Sequence, residues 1–462
     1  MRCSLVLLAN LLAVCLFFEE GQSAAVVDAT KELILTPFIK SGELDKARAR
    51  SEDNIDNSKL KTSKPVKSYS GFLTVDEKTN SNLFFWFFPA QENPEKAPVI
   101  LYVNDAPGLS CLLSIFLETG PFVITENLEL MDRNSSWTKF ASMLYIDAPV
   151  GSGFSFAEND EGFAKSSDDE AKEVYDALVQ FFTIFKEFQP LDFHLAGSSY
   201  AGSFIPFIAN KIDKENANAA VKINLKGFFV NSPFLDISKQ GDKFSDLYYS
   251  LGLVDETERK DIAALRNDFR TALEKGDQIK ALSIVAELLD QKNSRMAKYT
   301  GFEELASALD SKAPAEYERF DKFLQTKEIQ NYLHVGLHQF LAVNAKTFAF
   351  FMKDFLTSHV DAMTELMNKD IKVLLMAPQF NLAVPIEGIR EVVNGLKWKG
   401  SDDFAKAPRK VWKVQNDVAG YVKQSGSFSF VVLRNAGSHA FYDQPVWTND
   451  LVKRYLQGTG FD

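Results

Sequence analysis

Residues 193–202 of the chain read FHLAGSSYAG. The apolar run from Phe193 predicts a β-strand, and the residues from Ala201 onward have helical spacing of apolar side chains. A Gly-Ser-Ser turn between a strand and a helix resembles a nucleophile elbow, which lifts a serine above the sheet. An ordinary turn is the alternative, because Gly and Ser fill many loops. Ser199 is therefore the predicted nucleophile position, and the amide of Tyr200 is the predicted first donor of an oxyanion hole.

Apolar segments before and after this stretch predict further strands. They lie at residues 71–75, 83–88, 99–103, 142–146, 371–375 and 429–433. The first three follow one another with turn residues between them and predict a meander of neighbouring strands. A helical pattern from Glu170 to Phe185 precedes the strand at Phe193, and strands that alternate with helices predict a mostly parallel α/β sheet.

The stretch from Asp236 to Ala345 differs from the rest of the chain. It is charged and rich in Leu, Ala, Glu and Lys, with a helical period that is clearest from Glu256 to Leu289. We interpret it as a helical insertion over the sheet. The predicted organisation is a signal peptide (1–23), a polar N-terminal lead-in (24–67), the first part of the core (68–235), the insertion or cap (236–345) and the second part of the core (346–462).

The composition of the 462 residues is that of a globular protein, with 46% hydrophobic and 24% charged residues. This balance excludes a disordered chain. The net charge of −11 argues against nucleic-acid binding as the main function, because that requires a basic surface. Phe accounts for 40 residues and supplies material for a large core.

The first residues have the pattern of a secretory signal peptide. Arg2 precedes an apolar run over residues 4–18, and small residues follow at positions compatible with cleavage after residue 23. A short membrane anchor is the alternative, but the run is short for a bilayer and no later stretch is long enough. We predict a protein of the secretory route, extracellular or lysosomal, without a membrane span. The sequon at Asn134 predicts a glycosylation site.

The number of cysteines is only partly what is expected of an exported protein. Cys3 and Cys15 lie in the predicted signal peptide, which leaves Cys111 without a partner for an internal disulfide. A single thiol is unusual for an exported protein. We predict that Cys111 is buried and inert, since a catalytic cysteine needs a base beside it.

Four blocks of sequence carry a resemblance to a known family. They read LFFWFFPA at residues 83–90, YIDAPVGSGFSF at 145–156, VAGYV at 418–422 and YDQP at 442–445. In this order they resemble the serine carboxypeptidases, and most closely the vitellogenic-carboxypeptidase-like branch, over residues 68–462. The resemblance implies an α/β-hydrolase fold with a helical insertion, and an exopeptidase that removes C-terminal residues. It also implies a Ser-His-Asp triad that acts through an acyl-enzyme.

The chain retains the nucleophile of the family but not its catalytic acid and base. Ser199 matches the family's serine. The family's acid position is occupied by Asn381, and its base position, five residues before Asp443, is occupied by Ser438. The histidine stands one position later, at His439, and is the displaced candidate base.

The substrate-binding positions are also altered. Asn104 and Glu118 match family positions that hold the terminal carboxylate of the peptide. In the family, a second glutamate shares a proton with the residue at the Glu118 position. Ser198 occupies the position of that second glutamate in this chain, so Glu118 is expected to be ionised and to repel a carboxylate. Asp105 adds a further negative charge. Ala106 stands where a glycine amide forms the second half of the oxyanion hole, which requires a φ suited to a residue with a Cβ.

The replacement of the acid and the base allows the loss of activity to be estimated. An Asp-to-Asn change in such a triad lowers turnover by roughly 10⁴. Loss of the base costs on the order of 10⁶, and the losses are not additive. Two routes preserve activity: His439 reaches the serine through a re-registered loop, or Asp443 or another carboxylate stands in for the acid.

The other histidines do not predict a metal site. His334 and His338 have i, i+4 spacing, but their motif lacks a cysteine or an acidic third ligand, so we predict a packed or surface pair. His194 lies in a predicted strand and is expected in the core or against the sheet. We predict no metal and no organic cofactor.

Three hypotheses for function follow. The leading one is a secreted serine-carboxypeptidase-like protein with lost or strongly reduced hydrolysis, which binds a peptide or another ligand in the old cleft. The second is an active carboxypeptidase that uses Ser199 with His439 in a rearranged triad and acts on peptide or protein C-termini. The third is a secreted carrier or storage protein. The sequence leaves the oligomeric state open.

Overall fold

The computed structural model describes residues 31–52, 60–61, 66–103, 105–290 and 293–461. The predicted signal peptide and Asn104 lie outside these residues. In the described ranges, none of the helices is long and apolar enough to cross a membrane.

The strands form one large and one small sheet. They are β1 (Leu60–Lys61), β2 (Tyr69–Asp76), β3 (Ser81–Phe88), β4 (Val99–Tyr102), β5 (Phe122–Ile124), β6 (Leu130–Asp132), β7 (Ser142–Asp147), β8 (Phe193–Ser198), β9 (Leu225–Asn231), β10 (Lys372–Pro378), β11 (Arg409–Val414), β12 (Asp417–Ser425) and β13 (Phe428–Leu433). The large sheet has the order β11-β12-β13-β10-β9-β8-β4-β7-β3-β2, and the small sheet has the order β1-β6-β5.

The centre of the large sheet is parallel and its edges are antiparallel. Strands β13, β10, β9, β8, β4 and β7 pair in parallel. The antiparallel strands β2 and β3 continue the sheet at one edge, and β11 and β12 continue it at the other. The predicted mostly parallel α/β sheet is therefore confirmed.

The predicted meander of the first three strands is wrong in one respect. Strands β2 and β3 are neighbours, but β7 lies between β3 and β4. The reason is that β4 pairs in parallel with both β7 and β8, which requires crossover connections rather than a hairpin.

Strand β3 shows why the sheet is buried on both faces. All eight of its residues are buried. Phe85 and Phe87 belong to the apolar cluster on one face, whereas Phe84, Trp86 and Phe88 belong to the cluster on the other. Successive side chains of a strand point to opposite faces, so a continuous aromatic run fills both cores at once.

Helices cover the sheet and fill the long segment between β9 and β10. Those before β9 are α1 (Thr36–Lys40), α2 (Leu44–Ser51), α3 (Leu112–Leu117), α4 (Ser167–Ile184) and α5 (Ala201–Glu215). Those between β9 and β10 are α6 (Ile237–Gln240), α7 (Phe244–Ser250), α8 (Glu256–Glu274), α9 (Gln278–Leu289), α10 (Arg295–Thr300), α11 (Glu316–Leu324), α12 (Lys327–Tyr332), α13 (Ala345–Phe350), α14 (Met352–Phe355) and α15 (Val360–Asn368). The remaining helices are α16 (Ile386–Gly395), α17 (Ser401–Lys406), α18 (Ala440–Asp443) and α19 (Pro445–Gln457).

The helical segment after β9 follows from local sequence signals. Helix α8 begins with a capping box, in which Asp255 accepts hydrogen bonds from the amides of Thr257 and Glu258, and the Glu258 side chain accepts from the Asp255 amide. The helix buries a stripe that includes Ile262, Leu265 and Phe269, at helical spacing. The domain boundaries at residues 235 and 345 stay predictions.

Candidate active site

Four segments meet where parallel strands of the large sheet end. They follow the carboxyl ends of β4, β8, β10 and β13, and they carry the residues singled out from the sequence. In open α/β sheets this edge forms the ligand-binding crevice. The helical segment between β9 and β10, which we interpret from the sequence as an insertion, contributes to the same region through α11, which carries Tyr317.

Ser199 has the backbone geometry of a nucleophile elbow. Its φ is 54°, a left-handed conformation that is rare for residues other than glycine. Its amide donates to the Asn231 carbonyl at 2.9 Å, and its carbonyl accepts from the Phe234 amide at 2.8 Å. A Cβ on Gly202 would lie only 2.7 Å from the Phe234 carbonyl oxygen, so glycine permits this close approach. The sharp turn therefore places Ser199 at the strand end, 8% exposed.

Both ring nitrogens of the displaced histidine, His439, lie close to groups other than this serine. The phenol of Tyr317 forms a short hydrogen bond with Nε2 of His439. The other ring nitrogen, Nδ1, lies 3.7 Å from Oε1 of Glu118. Both nitrogens of the buried imidazole thus face groups other than Ser199.

Ser438 is anchored by its backbone at the predicted base position. Its amide donates to the Ala306 carbonyl at 2.9 Å, and its carbonyl accepts from Nδ2 of Asn231 at 2.7 Å. These bonds tie the loop to both the insertion and the sheet. A serine here offers no imidazole, so the base position holds no general base of the expected kind.

Asn381 is fully buried at the predicted acid position. Its Oδ1 accepts from the amides of Ala383 at 2.9 Å and Val384 at 2.8 Å. Its Nδ2 has no hydrogen-bond partner among the described residues. A buried unpaired amide costs about 1–3 kcal/mol. The side chain caps its own loop, and it carries no charge that stabilises an imidazolium.

Asp443 is bonded to the backbone of the loop that carries Ser438. Its carboxylate accepts from the Gly437 amide at 2.7 Å and so stabilises the loop before Ser438. Burial raises its pKa above the ordinary value, although this amide and the nearby His439 oppose the shift.

The predicted oxyanion donors have other roles here. The Tyr200 amide donates to the carbonyl of Asp105 at 2.9 Å, so its hydrogen is already bonded. Ala106 is 3% exposed and is not among the residues with positive φ, so its Cβ is accommodated without left-handed strain. An oxyanion would have to displace the Asp105 carbonyl to use the Tyr200 amide.

The old carboxylate-binding positions form a buried polar cluster. Oε2 of Glu118 accepts from the hydroxyls of Tyr102 at 3.2 Å and Ser114 at 3.0 Å. The Ser198 hydroxyl lies 3.2 Å from that of Tyr102 and accepts from Nδ2 of Asn231 at 3.2 Å. Ser198 therefore completes a hydrogen-bond network where a second carboxyl was expected from the resemblance.

Asp105 is the second carboxyl group near Glu118. Desolvation raises its pKa to about 7, and the negative charge of Glu118 adds to the shift, whereas His439 and the Ser198 amide oppose it. Above this pH Asp105 is mostly ionised.

The remaining sequence candidates lie outside this cluster of groups or play a packing role. Cys111 is a free thiol, 2% exposed, which confirms its predicted burial, and burial raises its pKa well above the ordinary value. His194 is buried, as predicted for a core residue, and desolvation lowers its pKa to about 3. His334 lies 3.3 Å from the Ser70 hydroxyl, and His338 stacks on a phenylalanine ring. Over the described ranges, no group of three or more His, Cys, Asp and Glu side chains is suited to a metal ion.

Two residues of the site were missed by sequence reasoning. Tyr317 lies in the insertion, 122 residues before its partner His439, and no local pattern marks it. Asn231 ends β9, a strand that the sequence analysis did not predict. A polar residue directly after the apolar run GFFV was the signal available for Asn231.

Comparisons with known proteins show the family and the fold of the chain. The family model described as serine carboxypeptidase matches residues 59–458. The chain therefore belongs to the serine carboxypeptidase family, as its sequence blocks predict.

Several relatives match nearly the whole chain. It is 37% identical to the human "Probable serine carboxypeptidase CPVL", over 94% of this chain and 91% of that protein. It is 36% identical to the venom serine carboxypeptidase of Apis mellifera, over 94% and 92% of the two chains. It is 30% identical to the vitellogenic carboxypeptidase of Aedes aegypti, over 93% and 90%.

A solved structure supports the fold. The prohormone-processing carboxypeptidase Kex1(delta)p of Saccharomyces cerevisiae superposes with a TM-score of 0.76 at 20% identity, and the match covers 89% of this chain and 96% of that one. The predicted α/β-hydrolase fold is confirmed.

Proposed function

We propose that this member of the serine carboxypeptidase family has lost peptidase activity, or retains very little, and binds a peptide or another ligand in the cleft beside Ser199. One observation carries the proposal: Tyr317 holds His439 so that its imidazole faces Glu118. Without a base at hydrogen-bond distance, the Ser199 hydroxyl is an ordinary alcohol.

Two further contacts support the same conclusion. The Asp105 carbonyl uses the Tyr200 amide, which removes the ready-made oxyanion donor. Asn381 uses its oxygen to cap its own loop. Nucleophile activation, oxyanion binding and imidazolium stabilisation are thus each impaired by a separate contact.

The proposal includes export of the protein. The signal pattern at residues 1–23 and the sequon at Asn134 motivate it, and Asn134 is exposed at the surface. We propose an extracellular or lysosomal protein that carries a glycan at Asn134. Digestion with an amidase that removes N-linked glycans should lower the apparent mass of wild type and leave Asn134→Gln unchanged.

Labelling with a fluorophosphonate probe tests the loss of catalytic competence. The purified protein is compared with Ser199→Ala as background and with an active serine carboxypeptidase as positive control. We expect wild type and Ser199→Ala to be labelled equally weakly. Labelling of wild type that disappears in Ser199→Ala would contradict the proposal.

The active alternative retains one supporting observation. The elbow at Ser199 keeps its left-handed φ of 54° although the partners of the serine have changed. That alternative requires the His439 ring to leave Tyr317 and approach Ser199. The same labelling experiment distinguishes the two candidates.

A further inference from the structure

A small pocket lies in the polar cluster described above. Its described lining includes Tyr102, Asp105, Ser114, Glu118 and His439. The space available inside it is about 10 Å³. A cavity needs about 10–15 Å³ by this measure to hold one water molecule. The pocket therefore accommodates a group of one heavy atom.

Glu118 presents an unsatisfied oxygen in this pocket. The residue is 5% exposed, and its Oε2 is bonded to two hydroxyl groups. Its Oε1 has no hydrogen-bond partner among the described residues, and the nearest basic atom is Nδ1 of His439 at 3.7 Å. An ionised carboxylate only accepts hydrogen bonds, so this oxygen requires a donor.

Asp105 brings a second negative charge to the same pocket. The residue is partly exposed and lines the pocket. The groups that face it are Glu118, His439, Tyr102 and Cys111, of which Glu118 is negative and His439 is basic. Its pKa of about 7 means that it is largely ionised at pH 8.

Arg133 is a further charged group that interacts with Glu118. Its guanidinium donates to the carbonyl oxygens of Phe116 and Phe122, so its hydrogen bonds go to the backbone. It offsets part of the Glu118 charge.

We propose that this pocket binds the ammonium group of a primary amine and excludes a carboxylate. The inference rests on the proposed binding role of the cleft and names the class of ligand. An ammonium nitrogen is one heavy atom with three donors, which matches the space and the acceptors of Glu118 and Asp105. A carboxylate has three heavy atoms, brings no donor and meets two like charges.

The test measures binding to the full-length mature protein by isothermal titration calorimetry at pH 8. The probes are n-butylamine, n-butanol and butyrate, which share one alkyl chain and differ in charge. We expect saturable 1:1 binding of butylamine, at least about tenfold tighter than that of butanol, and no binding of butyrate, because hydrogen bonds between charged groups exceed neutral ones by about this factor. Three results would overturn the proposal. Butylamine and butanol could bind equally tightly, or butyrate could bind more tightly than butylamine. The amine could also show no saturable binding, which is the result for a pocket that holds only water.

Two variants and a pH series test which carboxyl groups bind the amine. Asp105→Asn and Glu118→Gln should each weaken butylamine binding about tenfold or more. The control Asp176→Asn removes a surface carboxylate that pairs with Lys172 and should bind as wild type does. For the wild type, affinity should fall between pH 8 and pH 5.5 as Asp105 is protonated. The pH series uses only the wild-type protein, so it does not depend on whether a variant folds. A butylamine affinity that does not change with pH would contradict the role of Asp105.

A second comparison identifies the source of the ammonium group. Nα-acetyllysinamide presents the same ammonium on a peptide unit. Tighter binding of this compound than of butylamine assigns the pocket to a lysine side chain, and equal binding assigns it to a free amine. These binding results are independent of fluorophosphonate labelling, so either proposal can fail while the other stands.

Discussion

The phenol of Tyr317 is hydrogen-bonded to Nε2 of His439, so a residue of the helical segment between β9 and β10 fixes the orientation of the displaced candidate base. The two rings also pack edge to face, with centroids 5.5 Å apart. Both side chains are buried. This contact joins the insertion to the end of β13 and accounts for the direction of the imidazole.

Removal of the Tyr317 hydroxyl should lower stability without creating activity. In Tyr317→Phe the buried Nε2 of His439 loses its partner, at a cost of about 1–3 kcal/mol in the free energy of unfolding. Hydrolysis should stay at the Ser199→Ala background, because Asn381 still provides no charge for an imidazolium. Urea titration and a peptidase assay measure the two effects.

The exposed Tyr249 provides the control for this change. Tyr249→Phe should change the free energy of unfolding by less than about 0.5 kcal/mol, as surface substitutions usually do. An increase of hydrolysis in Tyr317→Phe would show that Tyr317 alone suppresses an otherwise competent site.

Restoration of the family's acid and base should recover measurable hydrolysis. The double variant Asn381→Asp, Ser438→His returns both groups to the positions that the resemblance assigns to them. We expect release of C-terminal residues from blocked dipeptides at least about tenfold above background, because the triad contributes most of the rate. The single variants should stay near background. No activity in the double variant would show that the occupied Tyr200 amide and the altered carboxylate pocket limit the reaction more than the triad does.

Stability should decrease as pH rises from about 5 to 8. Desolvation raises the pKa of Glu173 to about 8 and raises that of its neighbour Glu170 well above the ordinary value. In this window the unfolded chain releases these protons and the folded chain keeps them, so the folded state binds more protons and stability falls with pH. The urea midpoint at pH 5 should exceed that at pH 8.

Glu173→Gln isolates the contribution of one carboxyl group to this pH dependence. The variant should show a smaller difference between the two midpoints, whereas Glu92→Gln, at an exposed site, should keep the wild-type difference. A midpoint that rises with pH in wild type would contradict the assignment of raised pKa values to these groups.

The stability of the folded chain should not depend on reducing agents. Cys111 is the one free cysteine of the described residues and is 2% exposed, so neither a disulfide nor an accessible thiol contributes. Dithiothreitol should leave the urea midpoint unchanged, and a thiol reagent should react with Cys111 only after unfolding. A clear loss of stability in dithiothreitol would indicate a disulfide that links two chains through Cys111.

The parts of the fold that local patterns encode were predictable. The continuous apolar run of β3 and the strand–turn–helix signal around Ser199 each depend on neighbouring residues. The β11–β12 hairpin escaped prediction because only Trp412 of β11 is fully buried. The position of β7 between β3 and β4 depends on pairing across the sheet, which a strand pattern does not specify.

Some residues of the candidate site were predictable from the sequence, but Tyr317, Asn231 and the contacts within the site were not. Alignment to family blocks located Asn381, Ser438 and Glu118 by position. The direction of the His439 ring depends on Tyr317, and the Tyr200 amide is used by the Asp105 carbonyl. Both contacts join distant segments, so they are visible only in three dimensions.

The rate of C-terminal residue release from blocked dipeptides measures whether Ser199 is catalytically competent. Wild type and Ser199→Ala are assayed side by side at pH 5 and pH 7. We expect the same rate of residue release for both proteins at both values of pH. A wild-type rate that exceeds the Ser199→Ala rate by about 10³-fold or more, as an operating triad provides, would contradict this expectation.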